Sequence, residues 1–144
     1  MHKIVKNFVK FTMHKIGNNF VKFIKIPTIE ENIKRINEIR ENKLNTDSHI
    51  SFSSEHINFV EDIVKKLKYQ PYIFPTMNDS IQLEYEIDKD YLEFEIFSNF
   101  MIKVFQYHFN NEENSTIRSE YIKENDIYKI VEEYFTHKEN SRKK

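Results

Sequence analysis

The stretch IQLEYEIDKDYLEFEIF, residues 81–97, decides how this chain folds. Ile81, Leu83, Tyr85 and Ile87 alternate with Gln82, Glu84, Glu86 and Asp88. After a short polar break, Leu92, Phe94 and Ile96 alternate with Glu93, Glu95 and Phe97. A period of two belongs to a strand with one face on a core and one in water, and two such runs in succession predict an antiparallel hairpin. With both apolar sets on one side, the expected pairs are Ile87–Leu92, Tyr85–Phe94 and Leu83–Ile96, because a one-residue slip would turn every apolar side chain to water. This pairing sets Glu86 opposite Glu93 and Glu84 opposite Glu95. Like charges directly opposite are mildly destabilising, within roughly 0.2–1 kcal/mol per pair. Three readings of this acidic face stand. It is a solvated face, screened by salt and partly answered by Lys103. It is a docking surface for something basic, either this chain's own N-terminus or another macromolecule. Or it is a divalent metal site, which a flat sheet face disfavours by holding the acids apart.

Upstream of the hairpin the period changes. Thr28 and Glu31 have capping-box spacing and open a helix over about 29–42, with Ile29, Ile33, Ile36 and Ile39 inward. After a polar loop over 45–51, Ser53 caps a second helix over about 54–69 that turns Ile57, Val60, Ile63, Val64 and Leu67 inward. Pro71 and Pro75 push their predecessors to extended geometry and end helical structure there. Downstream, a third strand is expected over about 101–109, with apolar residues in both phases, and a weaker fourth over 115–122. A last helix over about 125–137 buries Ile127, Ile130, Val131, Tyr134 and Phe135. The expected fold is α+β, in the order α-α-β-β-β-β-α: an antiparallel meander of three or four strands packed with two helices before it and one after. Residues 1–26 form a basic amphipathic segment, 27–137 the domain and 138–144 a charged, disordered tail.

The N-terminal segment contains a repeat, MHKIVKNFVKF at 1–11 and MHKIGNNFVKF at 13–23. The offset is not a whole number of helical turns, so on one continuous helix the second apolar face would be rotated by about 120° from the first. Ile4, Val5, Phe8 and Phe11 share one face; Met13, Ile16, Phe20, Phe23 and Ile24 share the other, and Gly17 weakens any helix between them. The restart at Met13 makes residues 1–12 readable as a duplication or as an upstream start, in either case a stretch the domain can do without.

Charge is divided unevenly along the chain. The 144 residues carry 22 Lys and Arg against 23 Asp and Glu, a formal net charge of -1. Residues 1–26 hold six lysines and no acid, and 137–144 hold four cations and one acid, leaving 12 cations and 22 acids between them. Such asymmetry points to a partner or to self-docking. Lysines interrupt every apolar run, so neither a membrane span nor a secretory signal is expected and the cytoplasm is the default location. The absence of cysteine excludes a disulfide scaffold, a thiolate metal site and a cysteine nucleophile. One glycine is too few for a phosphate-cradling loop. His2, His14, His49, His56, His108 and His137 form no H-x-x-x-H pair, and His49 and His56, seven apart across a helix start, read as solvated or capping residues; Ser51, Ser53 and Ser54 lack a nucleophile-elbow context and read as caps. No catalytic constellation, cofactor site or metal site is therefore expected.

Pro71, Pro75–Thr76, the run IQLEY at 81–85 and the run LEFEI at 92–96 resemble a group of small bacterial proteins with the pattern P-x-x-x-P-T, I-Q-L-E-[WY], L-E-[FL]-E-I. In that pattern tryptophan is usual where this chain has Tyr85, and glycines where it has Asp79–Ser80. The resemblance covers about a quarter of the chain and implies the hairpin but no activity; small accessory genes of this kind are compatible with an inhibitor, antitoxin or immunity role. The favoured expectation is a non-enzymatic interaction module, an inhibitor or antitoxin-like protein of a mobile element. It would bind a protein with a basic surface through Glu84, Glu86, Glu93 and Glu95. The alternative is a protein that binds nucleic acid or an anionic membrane surface through Lys3, Lys6, Lys10, Lys15, Lys22 and Lys25, with the interleaved phenylalanines stacking on bases.

Overall fold

The computed structural model describes residues 11–16, 19–24, 26–42, 51–109 and 115–142. Strands β1 (Phe11–Ile16) and β2 (Asn19–Ile24) pair antiparallel as a separate two-stranded sheet, Phe11 opposite Ile24 and Ile16 opposite Asn19. The helical reading of 11–24 is therefore corrected. Runs such as NFVKFI are rich in β-branched and aromatic residues, and these favour strand over helix. Helices α1 (Ile29–Arg40) and α2 (Ser54–Lys66) follow. A five-stranded antiparallel sheet comes next, built from β3 (Tyr72–Pro75), β4 (Ser80–Ile87), β5 (Asp90–Phe97), β6 (Ile102–Phe109) and β7 (Ser115–Ile122), neighbours in space in that same order. Helix α3 (Glu124–Arg142) closes the chain and continues through 138–142, where a disordered tail was expected. The architecture is α+β as anticipated, with one more strand, at Tyr72–Pro75. Two prolines hid that strand; it lies at the sheet edge, where a missing N–H costs no ladder bond.

The caps form as their spacing predicts. The Glu31 N–H donates to Thr28 Oγ1 at 3.1 Å while the Thr28 N–H donates to Glu31 Oε1 at 3.4 Å, and the His56 N–H donates to Ser53 Oγ at 3.1 Å. Left-handed backbone occurs at Asn42, Asp79, Asp88 and Phe100, with φ between 53° and 69°. Three of these are Asn or Asp, which tolerate that region best after glycine.

The core lies between the helices and one side of the sheet. Ile36 and Ile39 of α1, Ile57, Val60, Ile63 and Val64 of α2, and Ile127, Ile130 and Val131 of α3 pack on Ile81, Leu83, Tyr85, Leu92, Phe94, Ile96, Ile102 and Val104. Each such side chain stabilises the fold by about 1.5–3 kcal/mol relative to leaving it in water. The ambiguous third strand is now oriented: Ile102 and Val104 face the helices. Two polar residues join this side unannounced. Asn32 is buried and donates to Gln70 Oε1 and to the Pro71 carbonyl, both at 2.9 Å, while Gln70 Nε2 donates to the carbonyls of Val64 and Leu67. His56, expected to be solvated or capping, is wholly buried, with Nε2 2.8 Å from the Ile96 carbonyl. Its position one residue before Ile57 places it on the same inward arc of the helix.

The register of the central hairpin departs from the expected one by two residues. Tyr85 pairs with Leu92, Leu83 with Phe94 and Ile81 with Ile96, and Ile87 pairs with Asp90. A shift of two keeps every side chain on its own face, so hydrophobic patterning cannot tell the two registers apart. Turn chemistry decides: Asp88, at φ 55°, closes a two-residue connection with Lys89.

Candidate functional site

The side of the sheet away from the helices carries Ser80, Gln82, Glu84 and Glu86 from β4, Tyr91, Glu93 and Glu95 from β5, and Lys103, Phe105 and Tyr107 from β6. Alternation does bring the four expected carboxylates to one face. Their pairing differs, because of the two-residue shift: Glu84 stands opposite Glu93, Glu95 opposite Gln82 and Glu86 opposite Tyr91. Their exposure differs more. Glu84 is 1 % exposed and Glu93 and Glu95 5 % each, with only Glu86 half-buried. The expectation of four carboxylates projecting to solvent is thus corrected. Strict alternation reports which face a residue takes and carries no information on whether that face is covered.

Hydrogen bonds organise the acids into a polar layer. Ser80 Oγ donates to Glu95 Oε2 at 2.6 Å and lies 2.5 Å from Thr76 Oγ1. Tyr91 Oη donates to Glu93 Oε2 at 2.7 Å and accepts from Gln82 Nε2 at 3.1 Å. Lys103 pairs in register with Glu95, the one expected answer to the acids that the register delivers directly. Burial, followed by the charges of Glu84 and Glu93 and the hydrogen bond to Glu93, pushes the Tyr91 phenol far above its ordinary range. Burial also raises the Tyr72 phenol, aided by Glu31, Glu84 and Glu86. The Tyr91 phenol is therefore held as a neutral donor to Glu93.

A cavity of about 490 Å³ opens on this face. Glu86, Glu93 and Glu95 line it with Lys103, and Tyr91, Phe105 and Tyr107 supply aromatic walls. Carboxylates beside ring faces suit a cation: the charge finds an ion pair and the ring quadrupole adds attraction at close range. Residues Lys3, Lys6, Lys10 and Lys25, the other expected anion-binding set, lie outside the described residues; Lys15 and Lys22 fall within β1 and β2.

On the helix side, sequence reading missed a second polar group. Asp90, 3 % exposed, holds His108 through an Oδ1···Nδ1 contact of 2.5 Å, and Tyr134 Oη donates to the Asp90 carbonyl at 3.0 Å. The His108 and His137 rings lie 5.6 Å apart, beside a cavity of about 110 Å³ that Arg118 and Glu133 also line. The signal was absent because the partners come from β5, β6 and α3, far apart in sequence. Among the described residues no three His, Asp or Glu side chains converge to hold a metal ion, and no helix is long and apolar enough to cross a membrane. No family model, curated protein or solved structure matches the chain.

Proposed function

We propose that this chain is a non-enzymatic interaction module, of the inhibitor, antitoxin or immunity type, acting in the cytoplasm on a protein with a basic surface. The observation that carries the reading is the cavity bounded by Glu86, Glu93 and Glu95 and walled by Tyr91, Phe105 and Tyr107. A lysine or arginine side chain of the partner fits that chemistry, with its stem along the rings and its charge among the carboxylates. Attraction of this kind steers association and weakens as salt rises.

The test is capture from a lysate at low salt, with bound proteins identified by mass, using the intact chain and a Glu86→Gln, Glu93→Gln double variant. Glutamine is the informative replacement at these positions. Lysine at a buried position such as Glu84 would unfold the sheet and blur the result. The expected outcome is a basic partner held by the intact chain, released by added salt and lost from the variant. Equal capture by both forms excludes this face.

A further inference from the structure

We propose that β7 is a dimerisation strand, pairing antiparallel with the β7 of a second copy of this chain and joining the two five-stranded sheets into one about a two-fold axis. The two outer strands of the sheet are built differently. β3 is four residues long, ends in Pro75 and gives its Ile73 carbonyl to Arg35 Nε at 3.1 Å. Shortness, proline and a covering side chain are common means of keeping an edge from pairing. β7 has eight residues with no proline or glycine, and among the described residues no strand pairs with its outer side. It also holds large apolar side chains in the open: Ile117 is 64 % exposed and Tyr121 59 %.

The order of residues along β7 selects a second copy as the occupant. Antiparallel partners set side chains of the same face opposite each other, so a two-fold axis at the edge passes through a residue that faces itself. With the axis at Ser119, Arg118 meets the copy's Glu120 and Ile117 meets the copy's Tyr121. Arg118 and Glu120 lie on the helix side of the sheet, paired in β6 with Gln106 and Val104. Ile117 and Tyr121 lie on the other side, paired with Tyr107 and Lys103, so each match is made within one face. An axis one residue earlier or later would set arginine against arginine or glutamate against glutamate. Arg118 already holds Glu120 of its own strand at 2.6 Å. Charges of alternating sign therefore surround the axis, and the copy adds attractive pairs without breaking those present. A β-branched residue opposite an aromatic one, as at Ile117 and Tyr121, is a favourable cross-strand pair. Ser119 also lines the cavity of the carboxylate face, so the two cavities open to the same side and adjoin at the axis. The dimer does not depend on the function proposed above; the presentation of paired cavities to one basic partner does.

Sedimentation velocity of the intact chain over a concentration series tests this, with a monomer–dimer equilibrium as the expected result. Arg118→Glu surrounds the axis with acids and Glu120→Arg surrounds it with bases, so each weakens the dimer about tenfold or more. Mixing the two variants in equal amounts restores the dimer, because each then meets its opposite, and that rescue shows that both variants fold. Ser119→Cys reports the register. The chain has no other cysteine, and a residue facing itself across an antiparallel pair comes close enough for a disulfide to form on mild oxidation. Lys89→Cys, in the connection between β4 and β5, is the control and stays uncoupled. A chain that remains monomeric up to its solubility limit overturns the proposal. So does a dimer that both charge reversals leave intact, or coupling of Lys89→Cys as ready as that of Ser119→Cys.

Discussion

Glu84 stands directly opposite Glu93 across β4 and β5, and both side chains are buried on the sheet side away from the helices. Two carboxylates held this way repel each other whatever else each of them contacts, so a double-mutant cycle isolates the pair. In urea unfolding at neutral pH, Glu84→Gln and Glu93→Gln each remove the repulsion. The second substitution therefore gains less than it does alone, by roughly 0.2–1 kcal/mol. Coupling of the opposite sign would mean that the two oxygens share a proton or a cation.

Alkaline pH should unfold this protein early. Burial raises the phenols of Tyr85, Tyr91 and Tyr134, and burial with the Glu124 charge pushes Tyr128 up to about 12. The sign follows from linkage. Below pH of about 10, the ordinary tyrosine value, both folded and unfolded chains hold the proton and the stability is intact. Above it the unfolded chain releases protons that the folded chain retains, so stability falls as pH rises. Each buried phenol adds a slope approaching about 1.4 kcal/mol per pH unit in that window. Urea midpoints measured from pH 8 to 11 check this, and Tyr91→Phe should flatten the decline.

Gln70 links the end of α2 to α1 through three side-chain hydrogen bonds in a buried position. Gln70→Ala leaves the Asn32 amide short of an acceptor and the carbonyls of Val64 and Leu67 short of a donor. The expected cost is about 1–3 kcal/mol by chemical denaturation, without change in the sheet's circular dichroism.

The register of the central hairpin rests on Asp88 at φ 55°. A β-branched residue resists that geometry, so Asp88→Val should be about 1–2 kcal/mol less stable than Asp88→Gly. Amide exchange across β4 and β5 should slow in the glycine variant. Equal stability of the two would mean that the strands, and not the turn, hold the register.

Patterning revealed the helices, their caps and which side each strand residue takes, since those depend on neighbours within a turn or two. The inward set of α2 and α3 was legible residue by residue, from Ile57 to Leu67 and from Ile127 to Phe135. What patterning missed shares a cause. The Ile87–Asp90 register is invisible to a period of two, the buried state of Glu84 depends on what lies above the sheet, and the Asp90–His108 contact joins residues from different strands. His56, expected to be solvated or capping, and Asn32, not singled out, turn inward to partners that sequence does not display, backbone carbonyls and a distant amide.

The large sheet runs from β3 to β7 in chain order, with no crossover between strands. Every strand after the first finds its neighbour immediately behind it, so each addition closes only a short loop and loses little entropy. Sheets with such local connectivity assemble faster than Greek-key or parallel ones of equal size. During synthesis the strands can zip on one after another as they emerge, whereas α3, made after all of them, seals the apolar side only once the whole sheet is out.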